Sequence, residues 1–274
     1  MTEEKEIIVV KNVSKTYITE KEPVEAIRDF SLTVKEGDFV AIVGPSGCGK
    51  TTFLWGLTGL HNFSSGNAKV FGKNIETPRK EVGIIFQQAN LLPWRTLFGN
   101  ISFPLEIMGK NINYYKERIA ELLDIVGLSG FDKCYPRELS GGMQQRASIV
   151  RALSFDPKIL LMDEPFGSLD AYTRDEMDTL LLDIWHKTKK TIVFVTHRIE
   201  EAVYLANTVY VMSPRPGKNS AVFNIDLPRP RPPEITMEEV FFEKVKEIKM
   251  TITKDVEKQK KEGEYQSQAY STVT

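Results

Sequence analysis

Along this chain, short apolar runs alternate with amphipathic stretches, and turn residues separate them. Ile7-Ile8-Val9-Val10 predicts a first strand. Phe30-Ser31-Leu32-Thr33-Val34 alternates as a half-buried strand does, and it ends in the Glu36-Gly37-Asp38 turn. Residues 39–43, 68–71, 82–86, 159–162 and 191–195 are short runs rich in β-branched and aromatic side chains, and they predict further strands. Helical stripes lie between them: Ala147, Val150 and Leu153 on one side of a helix, then Met177, Leu180, Leu181 and Ile184 on another. Strands alternating with helices predict an α/β fold with a mostly parallel sheet, whose ligand binds at the carboxyl ends of the strands.

The pattern changes twice. Serines and a glycine at 64–66 break the chain before the strand at 68–71, and from about residue 90 the strand signals stop. Pro93 and Pro104 interrupt this region, and Ile119, Leu122, Leu123 and Val126 then share one helix face. This predicts a helical subdomain inserted at about 90–145. Farther on, Pro228-Arg229-Pro230-Arg231-Pro232-Pro233 reads as a stiff linker. A modest stripe of Phe241, Val245, Ile248 and Ile252 predicts a short helix, and the Lys/Glu/Gln-rich residues from Glu257 predict a frayed tail. The expected organisation is a main body over 1–228 and a linker, short helix and flexible tail over 229–274. The helix is expected to dock on the body, with a partner as the alternative.

One stretch carries chemistry by itself. Gly44-Pro45-Ser46-Gly47-Cys48-Gly49-Lys50-Thr51 fits G-x-x-x-x-G-K-[ST], with a strand before it and a helix start from Thr52 after it. Glycines let successive backbone N–H groups point inward, and the helix dipole adds about half a positive charge at the mouth. Lys50 supplies a mobile cation for the β- and γ-phosphates, and the Thr51 hydroxyl suits Mg²⁺. The chain thus reads as a triphosphate binder.

Composition removes competing classes. Over 274 residues the net charge is −1, which gives no electrostatic reason to expect nucleic acid as a partner. The two cysteines, Cys48 and Cys134, make no disulfide framework, which suits a reducing cytosol. The acidic run Met1-Thr2-Glu3-Glu4-Lys5-Glu6 is no signal peptide, and no run approaches the ~20 apolar residues of a spanning helix. A soluble chain is expected, with any membrane role reached through a partner. Because one thiol lies in the phosphate loop, its alkylation is expected to block ATP binding.

Two further motifs follow. Ile159-Leu160-Leu161-Met162-Asp163-Glu164 is an apolar strand ending in acid, which beside a phosphate loop suits Mg²⁺ at Asp163 and general-base work at Glu164. The bland alternative is that these carboxylates only cap the helix after Pro165. Leu139-Ser140-Gly141-Gly142-Met143-Gln144-Gln145-Arg146 offers a second anion site at a helix start. With this motif the chain resembles the ATP-binding cassette (ABC) ATPases.

The resemblance covers residues 7 to 228 and implies a P-loop NTPase fold with an antiparallel β edge and a helical subdomain. It also implies a head-to-tail dimer, of this subunit or with a paralogous cassette, in which Ser140, Gly141, Gly142 and Gln144 of one copy face the ATP on the other's phosphate loop. Gln87 matches the glutamine that reaches Mg²⁺ and the attacking water. Ser168-Leu169-Asp170 matches the loop linking the two sites, and His197 the histidine on the γ-phosphate. Tyr17 matches the aromatic that stacks on adenine, against the alternative that a tyrosine near a strand is just packing.

Residues 86–96 and 164–171 look like the nitrate/sulfonate/taurine importer branch. That branch implies two transmembrane permease subunits, an extracytoplasmic solute-binding protein and a place at the cytoplasmic face of the membrane. Leu91, Leu92 and Trp94 suit a socket for a permease helix, unless Trp94 packs under its own loop. Gly99 departs from the expected helix former and puts the local helix in question. An exporter cassette and a soluble non-transport ATPase are the competing readings.

Overall fold

The computed structural model describes residues 5–20 and 22–271, with side chains through residue 261. The acidic start up to Glu4, Lys21 and the last three residues lie outside the described residues. In chain order the elements are β1 (Glu6–Tyr17), β2 (Val24–Lys35), β3 (Phe39–Val43), α1 (Lys50–Thr58), β4 (Ser65–Val70) and β5 (Lys73–Asn74). Then come β6 (Val82–Ile85), α2 (Leu97–Ile107), α3 (Lys116–Ile125), α4 (Gly141–Leu153), β7 (Ile159–Asp163), α5 (Ala171–Thr188) and β8 (Thr191–Thr196). The chain ends with α6 (Ile199–Leu205), β9 (Thr208–Met212), β10 (Asn219–Asn224) and α7 (Glu239–Ser271). It divides into two compact units, Met1–Thr77 with Val195–Thr274, and Pro78–Phe194.

In the first unit, β2-β1-β4-β5 form an antiparallel sheet, with Ile8 opposite Val34 and Val10 opposite Leu32. Strand β3 pairs in parallel with β9, Ala41 beside Val209, and β10 adds antiparallel to β9. Every residue of β3 is buried, as a run without alternation requires. Strands β1 and β2 extend well beyond the runs expected of them, and the break expected at 64–66 is partly strand. A Cβ at Gly66, whose φ is +85°, would meet the Asn12 carbonyl at 2.3 Å, where the β1–β4 register shifts. The glycine therefore marks a bulge. The sequence reading named neither β9 nor β10.

In the second unit, β6 and β7 pair in parallel, Ile84 beside Leu161, and the helical insertion between them runs on to Leu153. Pro104 does not interrupt it: the residue sits inside α2. A proline there costs ~3 kcal/mol. Leu97, Ile101 and Leu105 are fully buried on that helix, at about 1.5–3 kcal/mol each, so burial wins. Gly99 does no harm either, because its N–H donates to the Thr96 Oγ1 cap at 3.2 Å.

The C-terminal reading needs correction twice. The helix is long, not short: α7 runs 33 residues, and the tail expected to fray continues it. Lys, Glu and Gln are good helix formers, so propensity carries the segment past the packed stripe. Phe241 and Ile248 are buried, and the helix packs on α6, β9 and β10. The Pro-rich stretch, in turn, is more than the stiff linker expected: it is anchored to the body through Arg231. Arg231 is 4% exposed and donates from Nη1 to the carbonyls of Val203, Tyr204 and Ala206 at 3.0, 2.8 and 2.8 Å, and from Nη2 to Ile225 O at 3.1 Å. Three of these carbonyls belong to the C-terminal end of α6, where a cation is favoured. Burial, with the neighbouring Arg229 charge, pushes Arg231 down to about 9, so it remains cationic at pH 7.

Replacing Arg231 with Met keeps the bulk and orphans these carbonyls, at about 1–3 kcal/mol for each group left unpaired. The expected loss is at least ~3 kcal/mol, or roughly 6–12 °C in a thermal melt followed by circular dichroism. A melt shifted by less than about 2 °C would show that the carbonyls find other partners.

Candidate nucleotide site

The first unit holds the phosphate loop. Buried β3 delivers Gly44, where a Cβ would stand 2.5 Å from the Met212 carbonyl oxygen. Gly49, at φ +115°, begins α1, and a Cβ there would meet Ala26 O at 2.8 Å. No side chain caps this helix, so its N-terminal dipole faces whatever the loop holds. Lys50 is 5% exposed, folded across the loop with Nζ donating to Gly44 O at 2.9 Å and Pro45 O at 3.2 Å. Ser46, Gly47 and Thr51 are exposed at the mouth. The Tyr17 hydroxyl donates to Thr52 Oγ1 at 3.3 Å, which sets the half-buried ring beside the start of α1.

His197 is exposed just past the end of β8. The turn that carries it is held by Thr196, which bonds the Glu201 carboxylate and accepts from the Arg198 N–H at 3.1 Å. Cys48 is 1% exposed, so its alkylation requires the loop to open. Its side chain fills the space beside Gly44.

The second unit holds the carboxylates and the signature motif. Strand β7 is buried throughout and ends at Asp163, 7% exposed. Glu164 follows at φ +44°, and its carbonyl accepts the Gly167 N–H at 3.0 Å. Gln87 lies close to this turn: a Cβ on Gly167 would sit 3.3 Å from Gln87 Nε2 and 3.8 Å from the Glu164 Cβ. Two of the three expected catalytic residues are thus brought together.

Ser140 caps α4, accepting the Met143 N–H at 3.3 Å, with Gly141 exposed beside it. Gly142 closely approaches Thr173 at the start of α5. Asp170 caps α5 through the Thr173 N–H at 3.0 Å and hydroxyl at 2.7 Å. These bonds hold its carboxyl below the usual range. Gln144 turns inward instead of outward, its amide donating to Pro136 O at 3.0 Å and Leu139 O at 3.1 Å. It braces the signature turn.

Other residues that matter here were not read from the sequence. Gln145, buried on α4, donates to Phe86 O at 3.3 Å, and Arg151 donates to Ala89 O at 2.6 Å and Asn90 O at 2.7 Å. Asn100, fully buried, accepts the Leu92 N–H at 2.6 Å and donates at 3.1 Å to the carbonyls of Leu92, Arg95 and Thr96. Trp94 is 72% exposed, so it does not pack under its own loop. Arg215 and Gly217 lie against the phosphate loop. Their one sequence signal is the Pro216-Gly217 turn dipeptide.

A strand-borne glycine cradle with a buried lysine, together with an acid-ended strand and a capped Ser-Gly-Gly helix start, defines an ATP-binding cassette ATPase. The ABC transporter family matches residues 27–167, and the chain belongs to that family. It is 44% identical over 224 residues to an aliphatic sulfonates import ATP-binding protein of Bacillus cereus, covering 82% of this chain and 88% of that one. It is 45% identical over 206 residues to a taurine import ATP-binding protein of Rhizobium johnstonii, covering 75% and 79%. A dimeric ATP-binding cassette solved in a post-hydrolysis state with ADP and Pi superposes at TM-score 0.71 with 31% identity, covering 81% of this chain and 100% of that one. Among the described residues no helix is long and apolar enough to cross a membrane.

The burial of Cys48 sets an order of reactivity. Brief maleimide treatment of the native protein should label half-buried Cys134 first and leave Cys48 unmodified until the chain is denatured, as read by peptide mass spectrometry. Early Cys48 labelling would mean that the phosphate loop opens readily.

Proposed function

We propose that this chain is the ATP-hydrolysing subunit of a membrane importer, working as a head-to-tail dimer on two permease subunits fed by an extracytoplasmic solute-binding protein. Its solute is a small anionic or organic molecule of the sulfonate or taurine kind, in keeping with the relatives' names. The chain would sit at the cytoplasmic face, held there by the permeases.

The observation that carries this reading is the loop at 91–95. Its backbone is pinned by the buried Asn100 amide, and an ion pair of Arg95 with Glu106 at 2.8 Å closes it, while the Trp94 indole faces outward. A rigid loop with an exposed aromatic is a docking element for another protein.

Each residue has a task in hydrolysis. The backbone of residues 44–51 and the Lys50 ammonium take the β- and γ-phosphates, and Tyr17 stacks on the adenine. Thr51, Asp163 and Gln87 offer hard oxygen donors that fit Mg²⁺, which when bound neutralises phosphate charge. Few protein donors are required, because phosphates and water complete such a shell. Glu164 orients the attacking water and takes its proton, Gln87 helps place that water, and His197 holds the γ-phosphate. Ser140, Gly141 and Gly142 of a second copy close over the nucleotide, and Asp170 links the two sites. ATP favours the closed dimer, and hydrolysis releases it.

Glu164→Gln should cut turnover by roughly 10²–10⁴-fold and leave an ATP-dependent dimer visible by light scattering. Turnover near that of the parent would remove Glu164 as the base. Trp94→Ala should leave the ATPase rate of the isolated chain within about twofold of the parent yet abolish co-purification with the permease pair, as loss of a buried aromatic anchor does. Retained co-purification would refute the socket.

A further inference from the structure

The turn between β9 and β10 has no part in the chemistry above, yet it is built onto the phosphate loop. Arg215 Nε donates to Gly47 O at 3.2 Å, and a Cβ on Gly217 would stand 2.3 Å from Cys48 O. The turn is itself pinned to β2, with the Gly217 N–H donating to Ala26 O at 2.9 Å and the Arg28 N–H to Gly217 O at 3.0 Å. From the other side, Gln259 on α7 donates from Nε2 to the Arg215 carbonyl at 2.7 Å. Between α7 and the loop lies a cavity of ≈ 380 Å³ lined by Pro45, Ser46, Gly47, Arg215 and Gln259. Both Arg215 and Gln259 lie beyond residues 27–167, over which the family model matches.

We infer that Arg215 is a positioning residue for the phosphate loop, and that Gln259 of the C-terminal helix holds it in that role. The reason is peptide geometry. Gly47, at φ +74°, is the position where the loop can most easily turn over. Its carbonyl and the Cys48 N–H belong to one planar peptide and point in opposite directions. Fixing the carbonyl on the guanidinium therefore also fixes that N–H, which donates to Pro45 O at 3.3 Å and closes the turn at the mouth of the loop. The guanidinium also adds positive charge beside the mouth. Arg215 touches neither the reacting atoms nor the metal donors, so it acts on binding and not on the chemical step.

The test uses the full chain. Arg215→Ala should raise KM for ATP about five- to tenfold, the worth of one hydrogen bond of ordinary net strength, with kcat within about twofold. Arg215→Lys, which keeps the charge and a donor, should recover part of this. Gln259→Ala should raise KM by a smaller factor, about two- to threefold, and add nothing in the Arg215→Ala background, since it acts through Arg215. Thermal melts are run on every variant. A KM unchanged in Arg215→Ala, with or without a lower melting temperature, overturns the proposal. An additive double variant overturns the part assigned to Gln259.

Discussion

A phosphate loop serves its anion only while its backbone is bare, and that constraint reaches far from the loop. At Gly44 the Met212 carbonyl lies where a Cβ would be, and at Gly49 the Ala26 carbonyl does. Strands β9 and β2 therefore press their main chains directly on the cradle. Glycine gives up conformational entropy on ordering, and a loop with three glycines among its first six residues has little stiffness of its own. The close neighbours provide it. They order the N–H groups before any ligand arrives, so binding does not have to bear that cost. The buried Lys50 follows the same rule: folded onto Gly44 O and Pro45 O, its ammonium is already in place.

The parts of this molecule legible from sequence share a physical property: their cause is local. An apolar run such as 39–43 is a buried strand whatever surrounds it, and Gly-Lys-Thr after such a run makes a cradle. Ser140 before two glycines and Asp170 before α5 are caps that read from adjacent residues. The illegible parts depend on distance along the chain. Arg215 meets a carbonyl 168 residues away, and Arg151 meets one 62 away. Nothing beside either arginine announces a distant carbonyl. Arg231 sits in a run of prolines that elsewhere makes a linker, and only the unpaired carbonyls at the buried end of α6 turn it into an anchor. Pro104 shows the converse, with tertiary burial overruling a correct local preference.

Within the second unit, α4 does more than present Ser140. Gln145 holds the last carbonyl before Gln87, and Arg151 holds the two carbonyls of Ala89 and Asn90 beyond it. Burial lowers the pKa of Arg151, so its charge is matched by those oxygens and not by solvent. Asn100 then fixes the next four residues. From the capped helix start to the exposed indole of Trp94, the path consists of bonded backbone. Hydrogen bonds at these carbonyls hold the segment at several points along its length.

The backbone of Glu164 shows how two consecutive acids come to share a strand end. In a continuing strand, successive side chains point to opposite faces, so Asp163 and Glu164 would be separated by the sheet. At φ +44° Glu164 leaves the strand in the left-handed region, at a cost of about 1–2 kcal/mol for a residue with a Cβ. The turn is over-determined, with Phe166 fully buried and the Gly167 N–H on the Glu164 carbonyl. It also sets Glu164 beside the Gln87 amide. Strain persists where the surroundings repay it. Here the return is a geometry in which the two carboxylates proposed to hold the metal and to accept the proton, adjacent in sequence, can do separate work.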